Sequence, residues 1–394
     1  MTDRARLVTP PFIALFVSAL AFFTAGGLVL PVSTRFAAGP LGADGLGVGI
    51  GIGAFAVAAL AMRPVVGWAS DRFGRRPLML VGGALTVVAF LAHLLVTSLP
   101  TFVVVRSAYG IGEALFFVAF IAAVSDLAPV ERRGEAINLA SLSVYLGLAV
   151  GPFAGETILA ATGFNAVWLI AAAACGVAAL LALLVPETAP AVLAAAAAGT
   201  RPPRGRLFHP AGVLPGLLIL TGAWGMAGFL AFVPLHASRL GLAGAGVPLA
   251  MYAFLVCGLR IVFLRLPDQI GAARLSGGAL AISALGMLAL GILPGQAGLY
   301  VGTAVFATGI AFMFPALIAV AVSRVDESER GSVVGTSSAF LDLGFGVAPA
   351  VLGAVATAAG YPAAWLFSAV VAGVGAMIIV ITRQSLAAVV PERA

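Results

Sequence analysis

The stretch GWASDRFGRRPLML, residues 67–80, crowds Asp71, Arg72, Arg75 and Arg76 into six positions of a 394-residue chain that is 62% hydrophobic and 9% charged. Soluble domains carry about 25% charged residues, so the bulk of this chain reads as buried in lipid and the charged knot as a turn between buried segments. A membrane-spanning helix needs about 20 apolar residues. Twelve such runs begin near residues 11, 46, 77, 101, 136, 164, 213, 246, 275, 297, 332 and 361, and the knot falls between the second and third. The first run follows Arg4 and Arg6 as a signal peptide would. From Pro11 to Thr34 it exceeds the usual apolar core of about 7 to 15 residues and no convincing cleavage site follows, so it reads as an uncleaved first helix.

All 21 basic residues are Arg, and their placement sets the expected topology. Sixteen lie in the N-terminus, alternate loops and the C-terminus: Arg4, Arg6, Arg72, Arg75, Arg76, Arg132, Arg133, Arg201, Arg204, Arg206, Arg265, Arg274, Arg324, Arg330, Arg383 and Arg393. Only Arg35 and Arg239 fall on the opposite side, while Arg63, Arg106 and Arg260 lie within or at the edge of helices. The positive-inside rule then predicts cytoplasmic termini for a multi-pass chain in a cell membrane, of the bacterial inner-membrane kind. The net charge of +6 reflects that bias and suits contact with anionic lipid; it gives no reason to expect nucleic acid.

The chain repeats itself at a spacing of 197 residues. Arg63, Asp71 and Gly74 recur as Arg260, Asp268 and Gly271; Arg133 and Gly134 as Arg330 and Gly331; Pro152, Gly163 and Trp168 as Pro349, Gly360 and Trp365. Six helices per half is an even number, so both halves enter the membrane in the same sense, a parallel repeat. The fold class expected is therefore an all-α membrane protein with an N-terminal six-helix bundle over 1–186, a Pro-, Ala- and Arg-rich cytoplasmic linker over 187–212, and a C-terminal six-helix bundle over 213–394.

With these features assembled, the chain resembles the major facilitator superfamily. Its G-x-x-x-D-R-x-G-R-R turn signature is met by Gly67, Asp71, Arg72, Gly74, Arg75 and Arg76, and a weaker copy holds Asp268 and Gly271, with Gln269 after the acid. An acid at such a turn can face a helix N-terminus or an Arg while the halves are close on that side, a cytoplasmic latch for the outward-open state. Helix 5 carries YLGLAVGPFAGE, residues 145–156, in which Gly147, Gly151 and Gly155 form a stripe for close helix approach and Pro152 bends the helix. This resembles the G-x-x-x-G-P-x-x-G-G pattern of the antiporter branch, chiefly drug and metabolite exporters, with Glu156 where the last Gly stands. Pro349 is the repeat partner of Pro152.

Ionisable residues within a bilayer cost about 2.5–3.5 kcal/mol at a helix centre on insertion scales, and they face a cavity or a partner. Of fifteen acids only Glu113, Glu156 and Asp342 lie deep in apolar runs. On helix 4, Arg106, Tyr109, Gly110 and Glu113 share a face, which Phe116, Phe117 and Phe120 continue; the resemblance implies that helix 4 lines the substrate cavity, so an Arg–Glu pair and a set of rings are expected there. A carboxylate that loses its proton to one side and regains it from the other couples a proton gradient to conformational change. Glu113 is the first choice for that role, with Glu156 and Asp342 as the others, and Asp342 alternatively bracing the segment that ends at Pro349.

Cys175 and Cys257 read as core residues, and His93, His209 and His236 show no metal spacing. With no Lys there is no Walker lysine, and no catalytic triad spacing appears, so neither a metal, a cofactor nor an enzyme activity is expected. The expected function is proton-coupled export of a small amphiphilic or aromatic compound by a monomer in the bilayer. The alternatives are uptake by proton symport and, on the same fold, a non-transporting receptor or assembly protein.

Overall fold

The computed structural model describes residues 7–128, 133–188, 209–263, 266, 270–322, 325 and 330–387. Helices run α1 Pro10–Ala38, α2 Gly45–Phe73, α3 Arg75–Ala92, α4 Leu99–Leu127, α5 Arg133–Thr162 and α6 Phe164–Ala182. The second half gives α7 Val213–Arg239, α8 Gly246–Val262, α9 Ala272–Ile292 and α10 Gly295–Val322. The helical stretch Arg330–Ala387 is divided at Gly360, where φ is 83° and ψ 169°, into α11 (330–359) and α12 (361–387). No strand occurs among the described residues. Ten stretches are long and apolar enough to cross a membrane, Thr336–Thr382 counting once although Gly360 divides it, and α8 is a shorter apolar helix.

Local chemistry sets the helix ends. Ser98 caps α4, its hydroxyl accepting from the Thr101 N–H, with Pro100 in the first turn; this satisfies a donor the helix leaves open. Gly74 and Gly271, at φ 104° and 80°, precede α3 and α9, and Gly163 and Gly360, at φ 84° and 83°, precede α6 and α12. Positive φ suits glycine, and both pairs are separated by the 197-residue repeat, so the two halves turn the chain in the same way.

Contacts divide the chain into two compact units, residues 1–36 with 54–203, and residues 37–53 with 204–394. The beginning of α2 groups by its contacts with the second unit. Its Gly45, Gly49 and Gly53, one turn apart, lie against the backbones of Gly353, Pro349 and Gly346 of α11.

Within the first unit the stripe on α5 sits against α1. Gly147 faces Phe23 and Thr24, Gly151 faces Gly27 and Leu28, and Gly155 faces the Leu28 carbonyl. Helices in lipid associate through such close contact, because lipid tails are as apolar as side chains. A ring cluster joins α1 to α4: Phe22 stacks on Phe116 at 4.1 Å and Phe23 meets Phe117 edge-on at 5.7 Å. Fully buried Trp168 of α6 stacks on His93 at 4.5 Å and meets Phe36 edge-on. In the second unit the repeat partner Trp365 also takes a histidine, but from a different helix, its indole N–H donating to Nδ1 of His236 on α7 at 2.8 Å.

Candidate functional site on helix 4

The sequence-derived face of α4 is a buried face. Arg106 is 1% exposed, Tyr109 5% and Glu113 9%, while Phe116 and Phe120 are fully enclosed; Phe117 is half-buried. Periodicity therefore places the face, but its occupants differ from the expected Arg–Glu pair. Arg106 makes no ion pair or hydrogen bond among the described residues, and its Nε and Nη1 are buried without an acceptor. Its guanidinium instead lies 5.4 Å from the ring centres of both Tyr109 and Phe55 of α2.

These rings form a nest. Phe55 and Tyr109 are 4.6 Å apart, and Phe90 of α3 is 4.7 Å from Tyr109 on another side. Gly110 brings α4 against the Phe55 carbonyl of α2, and Gly112 brings it against Gly82 and Thr86 of α3. Any side chain at Gly110 or Gly112 would push α4 away and dismantle the nest. Ring faces attract a cation by about 0.5–2 kcal/mol each. Further along the face the aromatic stripe is used in packing: Phe116 lies on Phe22, and Phe120 follows at 6.4 Å. Phe117 holds the Arg63 guanidinium 5.6 Å above its ring.

The other two deep acids have different surroundings. Glu156, 2% exposed, takes a 2.8 Å salt bridge from Arg35 of α1. That pair clamps α1 to α5 beyond the glycine stripe, and it explains why an Arg sits on the sparsely charged side. Removing Arg35 would take this charge partner from a buried carboxylate, which is destabilising. Asp342 is half-buried on α11, one helix segment before buried Pro349. Pro152 and Pro349 both lie inside continuous helix.

At the turn between α2 and α3, the side chains of Asp71 and Arg72 lie outside the described residues, as does the whole of Asp268 in the second unit. Gly67 sits within α2 with open space beside it. Arg75 is organised by groups far away in sequence: Nε donates to Asp126 at the end of α4 at 3.2 Å, and Nη1 to Ser70 at 2.9 Å. The Glu187 carboxylate, just past α6, accepts from the backbone N–H groups of Arg75 and Arg76 at 2.8 and 3.1 Å. It thereby occupies the positive N-terminus of α3. Gly74 has its positive φ at this point, and a Cβ there would meet the Glu187 carboxylate at 2.6–2.9 Å. Thr188 completes the cluster by donating to Asp126 at 2.9 Å.

Sequence reasoning missed three contributors. Arg35 carried a signal, since it and Arg239 alone break the charge bias of the loops. Phe55 and Glu187 carried none, because one is an ordinary apolar residue of a spanning helix and the other an ordinary charge at a helix end.

A long helical bundle with a repeated frame, buried ionisable groups and a charged turn defines a membrane carrier. The profile of the Major Facilitator Superfamily matches residues 12–335 and 244–393, and the chain belongs to that family of transporters. It is 30% identical over 370 residues to an uncharacterized MFS-type transporter of Burkholderia mallei (strain SAVP1), covering 91% of this chain and 88% of that one. Among solved structures it is similar to a bacterial homologue of the human lysosomal transporter Spinster, in an inward-facing and unoccupied conformation. The TM-score is 0.79 at 16% identity, over 98% of each chain. A D-xylose–proton symporter gives a TM-score of 0.74 at 16% identity, over 94% of this chain and 96% of that one.

Proposed function

We propose that this transporter exports a small amphiphilic or aromatic compound in exchange for protons, by alternating access, with both termini in the cytoplasm. The observation that carries the reading is the buried face of α4, where Glu113 and Arg106 lie about 10 Å apart along the helix axis by the helical rise, amid rings from α2 and α3. A bilayer-depth acid is costly and marks a functional position. Glu113 is preferred because it shares its face with a base on a helix expected to line the cavity, while the Arg35 pair suits Glu156 to bracing. Asp342 retains the alternative of bracing the segment before Pro349. The turn cluster serves as the cytoplasmic latch, with Arg75 held by Asp126 and Glu187 as its fixed part.

The test begins with a thermal-shift screen of candidate compounds on purified protein, followed by transport of a stabilising compound in proteoliposomes with an imposed pH gradient. Protons moving opposite to the compound support export. Protons moving with it would replace export by uptake symport, and indifference to the gradient would remove proton coupling altogether.

A further inference from the structure

We propose that Arg106 receives the carboxylate of the transported compound, which makes the cargo a small aromatic acid; this rests on the reading of the α4 face as the transport site. The starting point is a guanidinium with nothing to bind. Arg106 is 1% exposed, and Nε and Nη1 are buried without a hydrogen-bond acceptor. A guanidinium presents two forked edges, Nε with Nη2 and Nη1 with Nη2. One donor on each edge is therefore unmet, and either edge is ready for a flat oxyanion.

Among the described residues, buried Arg75 and the half-buried Arg35 and Arg260 each have an oxygen acceptor. Arg75 donates to Asp126 and Ser70, Arg35 to Glu156, and Nε of Arg260 to the Ala311 carbonyl at 2.8 Å. Arg106 has only the faces of Phe55 and Tyr109, each 5.4 Å away. Ring faces attract the charge but do not supply in-plane acceptors for its N–H groups. A trapped water would accept hydrogen bonds but leave the charge bare. A carboxylate answers both needs, and Phe55, Tyr109 and Phe90 supply the aromatic walls against which a ring attached to that carboxylate packs. The repeat partner of Arg106 is Thr303, uncharged, so the anion preference belongs to the first unit.

The experiment uses the full chain purified in detergent and three probes of matched shape: phenylacetate, its neutral amide phenylacetamide, and the cation phenethylamine. Thermal stabilisation by phenylacetate alone is expected. Arg106→Gln should weaken that binding at least about tenfold, the loss of one charge-assisted hydrogen bond, and Arg106→Lys should retain part of it because the charge remains without the fork. If Arg106→Gln does not purify as a monodisperse species, the Lys variant and the charge series on the unaltered protein still decide. Equal stabilisation by the amide or the amine, undiminished acid binding in Arg106→Gln and Arg106→Lys, or no stabilisation by the acid at all each overturns the proposal. Failure here alongside intact proton-driven transport leaves the transport reading standing. Acid binding and acid transport without any response to the proton gradient removes the proton coupling and leaves this proposal.

Discussion

Helices α4 and α10 hold the same place in the two repeats, and the difference between them shows how one frame can carry ionisable residues in one copy and none at the matching positions of the other. Their seats match residue for residue at the 197 spacing. Gly112 lies against Thr86 of α3, and Gly309 against Ser283 of α9. Thr86 and Ser283 both return their hydroxyls to a carbonyl one turn back, Gly82 and Ala279, at 2.9 Å. The aromatic pair is repeated too: Phe55 with Tyr109 at 4.6 Å in the first unit, Tyr252 with Phe306 at 6.0 Å in the second, with the hydroxyl moved to the other ring. What changes is the ionisable content, since Arg106 and Glu113 become Thr303 and Ile310. A glycine seat and a ring pair are thus architectural, and the two ionisable residues are what the first unit adds.

The comparison breaks most severely where glycines meet backbone. Gly151→Leu puts a side chain at a position where even a Cβ lies 2.6–2.7 Å from the backbone of Gly27 and Leu28. Overpacking costs about 1–3 kcal/mol when side chains can shift, and backbone gives less. Loss of monodisperse protein on size exclusion is expected, whereas the repeat partner Ala348 already carries a methyl group and should tolerate Gly. Normal folding and transport in Gly151→Leu would mean that α1 and α5 are not held by this contact.

A smaller and more discriminating difference is expected between Gly74→Ala and Gly271→Ala. Both residues need positive φ, but among the described residues only Gly74 has a neighbour, the Glu187 carboxylate, within reach of a Cβ. Strain of about 1–3 kcal/mol is common to both, and the displaced α3 cap adds to the first. The melting temperature should therefore fall further for Gly74→Ala, and Glu187→Gln should erase much of the gap by weakening the cap. Equal losses for the two glycines would reduce Glu187 to a bystander.

Much of this frame was legible in the sequence. The twelve apolar runs, the repeat and the buried face of α4 all follow from period and spacing, which depend only on local geometry. What fills a face was not legible. Periodicity placed Arg106 and Glu113 together, yet the group that meets Arg106 is Phe55 from another helix; Arg35 and Glu156 are 121 residues apart, and Glu187 caps a helix 112 residues earlier. Such pairings are decided by which helices pack together, and a single sequence records that only through exceptions such as Arg35 on the sparsely charged side.

The mildest effect belongs to the second unit. Thr303 is fully buried and its hydroxyl has no partner, so Thr303→Val removes an unmet polar group at nearly constant shape. A melting temperature unchanged or raised, by up to about 1 kcal/mol of stability, with transport retained, is expected. Loss of transport in that variant would show that α10 carries chemistry after all.

The central claim is that Glu113 takes and releases the coupling proton, and gradient-driven transport by Glu113→Gln in proteoliposomes tests it most directly. The amide keeps the shape of the side chain and cannot titrate. Accumulation driven by an imposed pH gradient should vanish, while downhill exchange of the same compound across the membrane persists in part. If Glu113→Gln still accumulates the compound in response to the gradient as the unaltered protein does, the proton travels by another route and the claim is wrong.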